Sequence, residues 1–459
     1  MPAAPARSDT STDALDLGPA IDEGSQTLIF PSREMGTMYS ANPDTINTPL
    51  KFGPAQGRVV GPPGRTLLYK PSDAVIADPT LLKQLPANIH GIDLYNANVS
   101  DEFIRKLTIF KDLRYLRLSE VEVTEGDLDS ITQFPKLNTL ILNHCDLKAV
   151  GLNKLGRLHD LQALVLQSTA CTGATIAKVS DIKSLRRLNV SKTRADDQSL
   201  KAIGTLVNLT HLDISKARIT DKGLSALPGL KRLRRLAVSN NDIGDPGVKY
   251  IAMLPDLRQL DCYNDHMSVS SSAVAALRAC HALRVLDFSR VSLKDDAVAA
   301  LVTACPKLTN LILSDVKTLS DKGFQNLGRL TAVQYLVVSN THAGDGTAQA
   351  LSKSRTLTSL DMQHTDLTDK GVGYLATLPH LSALVISDNQ KLTDESAKAL
   401  SKGTPVRSLS FDSTPITDAS VPFLSKIKTL TGLVVLETKI SPKGFADLKK
   451  ALPGCAIAF

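Results

Sequence analysis

The chain has few of the side chains that build deep binding pockets. Its 459 residues include no tryptophan, and aromatic residues make up only 4% of the sequence. Strong interface contacts concentrate on tryptophan, tyrosine and arginine. The composition therefore argues against one dominant small-molecule pocket and favours a broad contact made by modest side chains.

Charge of one sign and long apolar runs are also scarce. The chain has 53 lysines and arginines and 46 aspartates and glutamates, which gives a net charge of +7. The sequence does not contain the concentrated basic stripe that is typical of nucleic-acid-binding proteins. We therefore expect no nucleic-acid partner. No stretch approaches the roughly 18 apolar residues of a membrane span, and no apolar core follows the first residues as in a signal peptide. The sequence predicts a soluble monomer that is cytoplasmic by default.

Patterns that would indicate a metal site or catalysis are missing. The six cysteines form no Cys-x-x-Cys pair and the nine histidines show no metal-ligand spacing. Buried thiols in a reducing compartment explain the cysteines. Asp261 and Asp287 fall on adjacent predicted strands, where pairing with an arginine explains them more simply than a calcium site or an acid–base dyad. The candidate partners are Arg258, Arg284 and Arg290. We expect no catalytic residue, metal or cofactor, and thus no enzyme.

What the sequence does contain is one apolar pattern, repeated from Ile89 to the C-terminus. One copy reads Leu209-Thr-His-Leu212-Asp-Ile214. A fixed period of this length indicates a solenoid, in which each unit buries its apolar face against its neighbours. Successive copies begin 24 to 26 residues apart, at Ile89, Leu113, Leu137, Leu161, Leu185, Leu209, Leu233, Leu257, Leu283, Leu308, Val333, Leu357, Leu381, Val406, Leu430 and a degenerate Gly454.

Each repeat predicts one short strand followed by one short helix. Apolar positions four and six alternate with polar neighbours, which is the periodicity of a strand. A Thr-Asp pair such as Thr220-Asp221 then indicates a helix start, and Leu224, Leu227 and Leu230 mark one helical face. Because strands stack more closely than helices, we expect a bent α/β horseshoe with a parallel sheet on its concave face and helices on its convex face. Position nine is threonine in six repeats and asparagine or cysteine in three others, and for these side chains we expect a structural hydrogen bond to a turn carbonyl.

The consensus Leu-x-x-Leu-x-Leu-x-x-Thr-x-Ile-Thr-Asp-x-Gly-Leu resembles the leucine-rich repeat family, in particular its short bacterial variety with convex helices. The resemblance covers about four fifths of the chain. It implies a binding scaffold that uses its concave face or rims, and it names no ligand.

Three regions are predicted. Residues 1–50 form a largely disordered extension. Residues 51–88 form an N-terminal cap, with a β-hairpin in which Arg58-Val59-Val60 pairs with Leu67-Leu68-Tyr69 around a Pro-Gly turn, and a helix near Leu81, Leu82 and Leu85. Residues 89–459 form about fifteen repeats and a C-terminal cap strand containing Ile457 and Phe459. An insertion between Asp265 and Val269 should bulge from the rim.

The candidate binding residues are those predicted to point from the concave face. A basic patch in repeats five to seven beside a column of aspartates would suit protein docking, although the same charges could simply pair with one another and keep the face soluble. Aromatic side chains add contact area. The candidates are Tyr115, Arg117, Arg187, Lys192, His211, Asp213, Lys216, Arg235, Asp261, Tyr263, Asp287 and Tyr335.

Three functions compete on this sequence. The first is a scaffold that binds a protein or peptide on its concave face. The second is the sensor or regulatory region of a bacterial signalling protein, since the disordered lead, hairpin and repeats resemble the region after the membrane segment of some bacterial Ser/Thr kinases, although no kinase motif is present. The third is an effector delivered into a host cell.

Overall fold

The computed structural model describes residues 26–41, 49–147 and 151–459. These residues form two compact units, 26–241 and 242–459, called the N-terminal and C-terminal units below. Both have the same architecture, an α/β solenoid in which each repeat adds one parallel strand to a sheet and one short helical segment to the opposite layer. The disorder expected for residues 1 to about 27 falls almost entirely outside the described residues.

The N-terminal unit contains a strand-rich cap followed by repeats one to seven. Its strands are β1 (Thr27–Ile29), β2 (Gly36–Ala41), β3 (Leu50–Pro54), β4 (Arg58–Val60), β5 (Thr66–Pro71), β6 (Gly91–Tyr95), β7 (Tyr115–Ser119), β8 (Thr139–Asn143), β9 (Ala163–Val165), β10 (Arg187–Asn189), β11 (His211–Asp213) and β12 (Arg235–Ala237). Its α-helices are α1 (Asp73–Ala77), α2 (Asp101–Lys106), α3 (Glu125–Ile131), α4 (Gly173–Ala177), α5 (Asp197–Ile203) and α6 (Asp221–Leu224). Short 3-10 helices span Pro79–Gln84, Leu107–Ile109, Leu152–Arg157, Lys178–Asp181 and Leu227–Gly229.

The C-terminal unit continues the same alternation. Its strands are β13 (Gln259–Asp261), β14 (Val285–Asp287), β15 (Asn310–Ile312), β16 (Tyr335–Val337), β17 (Ser359–Asp361), β18 (Ala383–Val385), β19 (Ser408–Ser410), β20 (Gly432–Val434) and β21 (Ala456–Ala458). Its α-helices are α7 (Asp245–Ile251), α8 (Ser271–Ala276), α9 (Asp295–Ala304), α10 (Asp321–Phe324), α11 (Asp345–Leu351), α12 (Asp369–Leu375), α13 (Asp394–Leu400), α14 (Val421–Leu424) and α15 (Pro442–Ala451), with 3-10 turns at Leu277–Ala279, Gln325–Arg329 and Asp418–Ser420. The predicted closing strand is confirmed at Ile457, because β21 pairs in parallel with β20, whereas Phe459 lies just beyond its end.

The cap differs from the predicted hairpin. Strand β4 pairs antiparallel with β1, and β5 pairs antiparallel with β2, so the two apolar runs bond to different partners. Strands β1 and β2 also lie within the segment that we expected to be disordered. Strand β5 then joins the parallel repeat sheet through β6. The helix expected near Leu82 forms as a 3-10 helix that buries Leu82.

The repeated apolar positions form the core, as expected. Leu188, Leu212 and Leu236 are aligned on adjacent strands and buried. The helical layer is shorter than predicted, because α6 ends at Leu224 and a 3-10 turn follows at Leu227–Gly229. The Leu–Pro–Gly sequence of that turn explains the change, since proline lacks the N–H that an α-helix needs.

Position nine has the structural role that we predicted. The Thr193 hydroxyl donates to the Val190 carbonyl at 2.6 Å, and the Thr341 hydroxyl donates to the Val338 carbonyl at 2.6 Å. Asn241 bonds the carbonyls of Ile214 and Val238 in the same way. Where position nine is threonine or asparagine, its side chain therefore closes the turn after the strand.

A ladder of aspartates joins the helix starts of neighbouring repeats. The Asp197 carboxylate accepts from the N–H and hydroxyl of Thr220, one repeat further on, at 2.8 and 2.7 Å. Asp345 does the same for Thr368. Each such bond satisfies the first backbone N–H of the next helical segment and ties two repeats together.

Among the described residues, the helices are all too short or too polar to cross a membrane.

Candidate functional site

Side chains at positions three, five and seven of each strand point to the sheet face, but they differ in accessibility. Position three is half-buried in repeats five to seven, whereas position five of the same strands is buried. The accessible chemistry of this face therefore comes from position three and from the residues that follow each strand.

Two arginines and a histidine lie side by side at position three of the N-terminal unit. Parallel pairing aligns Arg187 with His211 and His211 with Arg235. Neighbouring strands lie about 4.8 Å apart, so these side chains, called the cationic row below, form one line across three strands. The structure thus brings together the row that we predicted. The His211 Nδ1 atom also lies 2.9 Å from the Thr210 hydroxyl, which orients its ring.

The acidic column expected beside this row is not an accessible surface. Asp213 and Asp287 are buried, and each accepts a hydrogen bond from the N–H two residues later in its own chain, that of Ser215 at 2.9 Å and of Ser289 at 2.8 Å. Burial raises the pKa of Asp287, although hydrogen bonds from Ser289 oppose the shift. Asp261 is also buried, and the Gln259 amide donates to it. These aspartates fix the ends of strands, and our prediction of an exposed column is wrong.

Tyr115 is also wrongly placed by the prediction. It is only 2% exposed and packs in an apolar cluster with Ala41 and Leu68 of the cap and with Ile141 of the next repeat. Its hydroxyl has no hydrogen-bond partner among the described residues. The sheet face of repeats two and three is therefore occupied by the cap rather than open to a partner.

Arg117 is committed to contacts within the chain. Its guanidinium lies 3.6 Å from Asp93 and 4.7 Å from the centre of the Tyr95 ring. Both partners are on β6, the strand next to its own. This arginine therefore stabilises the first repeats and offers little charge to a ligand.

The candidates of the C-terminal unit are similarly engaged. Arg290, which we expected to pair with Asp261 or Asp287, instead pairs with Asp265 at 3.3 Å and Asp315 at 3.5 Å. It also stacks 5.0 Å from the centre of the Tyr263 ring. The rim insertion explains this, because it supplies Asp265 as a partner.

Tyr335 is half-buried on β16, in the same row as Asn310 and Ser359. No charged candidate lies in that row next to it. Tyr335 is thus partly accessible on the sheet face, with neutral neighbours on both adjoining strands.

A second group of cations lies just beyond the strands of repeats five and six. Lys192 and Lys216 directly follow position seven in the left-handed backbone region, with φ of 55° and 52°. Arg194 and Arg218 follow two residues later, and all four side chains are exposed. We call these four residues the rim quartet. Arg194 and Arg218 belong to the basic patch that the sequence showed in repeats five to seven, although we did not count them among the candidate binding residues.

The rim quartet differs from other surface cations of the same unit. Within the described residues, its four side chains form no ion pair. By contrast, Lys154 bridges Glu125 at 2.6 Å and Asp129 at 2.9 Å. The alternative that all surface charges pair with one another therefore fails at this group.

In the described part of the chain, no three His, Cys, Asp or Glu side chains are grouped so that they could hold a metal ion.

Comparisons with known proteins agree on the repeat architecture. The sequence model described as "Leucine-rich repeat region" matches residues 94–352 and 175–414. Among curated protein sequences, none matches the chain. A leucine-rich repeat protein of Leptospira interrogans has a similar structure, with 20% identity, a TM-score of 0.55, and coverage of 85% of this chain and 99% of that one.

An internalin of Listeria monocytogenes is also similar in structure. It shares 18% identity at a TM-score of 0.52, and the match covers 78% of this chain and 88% of the internalin. At such identity these likenesses concern the fold alone.

Proposed function

Because the chain belongs to the leucine-rich repeat family, we propose that it is a non-enzymatic scaffold that binds a protein on the sheet face of its N-terminal unit, at the cationic row of Arg187, His211 and Arg235. The observation that carries this proposal is the alignment of the row across three adjacent strands. Rigid strands hold the three side chains in fixed register, which favours recognition of a partner with complementary charge.

The surroundings of the row support the same placement. On one side, the cap covers Tyr115 and its neighbours, so the face becomes accessible only beyond repeat four. At the strand ends, Asp213 is buried and bonded to the backbone. Position three of repeats five to seven therefore presents two arginines and a histidine to the sheet face, while position five is buried.

A charge-reversal experiment tests the proposal. Extracts of the source cell are passed over the immobilised full chain, and captured proteins are compared between wild type and the double variant Arg187→Glu, Arg235→Glu. We expect capture of the specific partner to fall at least about tenfold, because reversing two charges replaces attraction by repulsion. Circular dichroism and the thermal midpoint should stay within error of wild type.

The matched control is the double variant Lys201→Glu, Lys222→Glu. It makes the same change in net charge within repeats five and six, but both lysines are exposed on the helix layer, opposite the sheet. Undiminished capture by the Arg187, Arg235 variant, or an equal loss in the control, would refute the cationic row as the site.

A further inference from the structure

Building on the proposed function, we infer that the rim quartet (Lys192, Arg194, Lys216 and Arg218) is a docking site for an acidic, extended segment of the protein partner.

The quartet has a rigid foundation. The Lys192 N–H donates to the Ser215 carbonyl and the Lys216 N–H to the Ser239 carbonyl, both at 2.8 Å. The Arg194 N–H donates to the Cys171 carbonyl at 3.1 Å. Each backbone is thus fixed by the neighbouring repeat, while the charged ends reach solvent. Little backbone entropy is lost when such a surface binds a ligand.

The carboxylates of the adjacent helix starts are already engaged. Asp196 accepts from the N–H of Ser199 at 2.8 Å, and Asp197 accepts from the N–H and hydroxyl of Thr220. Because these acids serve the backbone, they are not used to neutralise the arginines. The positive charge of the quartet is therefore left for a ligand.

Two buried donors stand directly before the lysines. Ser191 and Ser215 are buried, and their hydroxyls have no hydrogen-bond partner among the described residues. Buried polar groups normally have a partner. Both hydroxyls lie below the surface, so a ligand carboxylate would instead pair with the exposed ammonium group of the lysine that follows each serine, Lys192 or Lys216.

The extent of the positive surface favours a peptide over a polyanion. Glu120, Glu122 and Asp146 occupy the equivalent rim positions two or three repeats earlier, so positive charge spans two repeats, about 5 to 10 Å. Nucleic acid contacts normally need a longer basic stripe. Two to four carboxylates of one extended chain match this length.

The experiment measures the affinity of a defined probe for the full chain by fluorescence anisotropy. The probe is a labelled twelve-residue peptide of repeated Gly-Asp-Ser-Glu, and its neutral counterpart repeats Gly-Asn-Ser-Gln. The variants are Lys192→Gln with Lys216→Gln, Arg194→Gln with Arg218→Gln, and all four changes together. The matched control is Lys201→Gln with Lys222→Gln.

We expect the acidic probe to bind at least tenfold more tightly than the neutral one. Each pair of substitutions should lower the affinity for the acidic probe about threefold to fivefold, and all four together at least tenfold. Each exposed ion contact contributes modestly, and the contributions add. Raising the salt concentration from about 50 to about 300 mM should lower the affinity of the wild-type protein for the acidic probe much more than that of the quadruple variant. The control should stay within twofold.

The inference is overturned if the quadruple variant binds the acidic probe as tightly as wild type, or if the control variant loses as much affinity as the quartet variants. The inference is also overturned if duplex DNA or phosphatidylserine vesicles bind the same four residues more tightly than the acidic peptide does. The ligand would then be a nucleic acid or a membrane. The proposed function fails separately. If Arg187→Glu with Arg235→Glu abolishes partner capture while the quartet variants do not affect the probe, the sheet-face site stands and the rim site falls.

Discussion

At the scale of single residues, position five of the strand shows how a polar side chain can have a structural role on the face that carries the candidate binding residues. Asn189 and Asp213 accept a hydrogen bond from the backbone N–H two residues later, at 2.8 and 2.9 Å, and Asp287 repeats the arrangement. Each side chain satisfies an N–H that lies beyond the end of its strand. The acceptor oxygen matters for this role, and the negative charge does not.

We therefore expect Asp287→Asn to be tolerated and Asp287→Ala to be costly. Asparagine keeps the acceptor, as Asn189 does in repeat five, whereas alanine leaves a buried N–H unsatisfied at about 1 to 3 kcal/mol. Burial raises the folded-state pKa of Asp287, so its ionisation opposes folding. That destabilisation grows as pH rises through 3.8 towards the folded pKa.

Urea unfolding at pH 4 and pH 7 distinguishes the two variants. Asp287→Asn should equal or exceed wild type at pH 7, where the wild-type carboxylate is ionised. An asparagine variant as unstable as the alanine variant would show that the charge, not the acceptor oxygen, is required.

The alternating pattern of the sequence predicted which side chains point to the sheet face, and this held for Arg187, His211 and Arg235. It did not predict how deeply each one is buried. Closely stacked strands shield position five between its neighbours, and the cap covers Tyr115. Both effects depend on packing between repeats or on distant segments, which a local pattern does not encode.

At the scale of the element, helix starts depend on contacts between repeats. A glycine recurs at the third helical position because a side chain there would meet the aspartate of the previous repeat. A Cβ at Gly371 would overlap Asp345 and Leu367, whereas a Cβ at Gly373 in the same helix meets nothing within 4 Å. Helix α12 therefore offers an internal comparison.

Gly371→Ala should destabilise the C-terminal unit by about 1 to 3 kcal/mol, because the added methyl displaces the Asp345 carboxylate from Thr368. Gly373→Ala should stabilise it by about 0.5 to 1 kcal/mol, because alanine restricts the unfolded chain and favours a helix. Denaturant unfolding midpoints measure both. If the two substitutions changed the free energy of unfolding by the same amount, Gly371 would have no specific role.

The hydrogen bonds of Asp321 predict sensitivity to acid. Asp321 accepts from the N–H groups of Gly344, Gly346 and Thr347 at 2.7 to 3.1 Å. Burial alone would raise the pKa of Asp321, but hydrogen bonds from the Thr347 hydroxyl, from the N–H groups of Gly344 and Thr347 and from Gln325 outweigh burial and lower it below 3.8. A lowered carboxyl pKa gives stability that is present above about pH 5 and is lost as pH falls through the folded value.

The denaturant concentration at the midpoint of unfolding should therefore decrease steeply for the wild-type protein between about pH 5 and about pH 3, the range in which aspartate carboxylates ordinarily become protonated. Asp321→Asn should lower stability at pH 7 and flatten this decrease. A variant with the wild-type pH profile would mean that Asp321 contributes nothing through its charge.

The cap shows why elements with little periodicity are hard to predict. Two apolar runs around a Pro-Gly turn suggested one hairpin, yet Arg58–Val60 pairs with Thr27–Ile29 and Thr66–Pro71 pairs with Gly36–Ala41. Both pairings bridge about thirty residues. The repeats, in contrast, were predictable because every strand pairs with the next copy of the same pattern.

At the scale of the whole molecule, stability comes from the stacking of repeats, each of which contacts chiefly its neighbours. The cysteines report on this stacking, because five of the six are buried and Cys455 is partly exposed. Burial raises the thiol pKa of Cys145 and Cys280 to about 11 and that of Cys305 to about 12. These buried thiols are thus protected from chemical modification in two ways: reagents do not reach them, and they stay protonated at neutral pH.

We expect a thiol reagent at pH 8 to modify native protein at Cys455 first, and the other five thiols at least a thousandfold more slowly, because exposing them requires opening the repeats. Mass spectrometry after labelling across a urea series should show Cys145 and Cys171 becoming reactive together in the N-terminal unit. Cys262, Cys280 and Cys305 should do so together in the C-terminal unit, since each unit has its own continuous core. Cys455→Ser, which removes the accessible thiol, is the control. Rapid labelling of Cys262 in native buffer would contradict the account, since that thiol lies on the inner side of the sheet and cannot be reached while neighbouring repeats remain stacked.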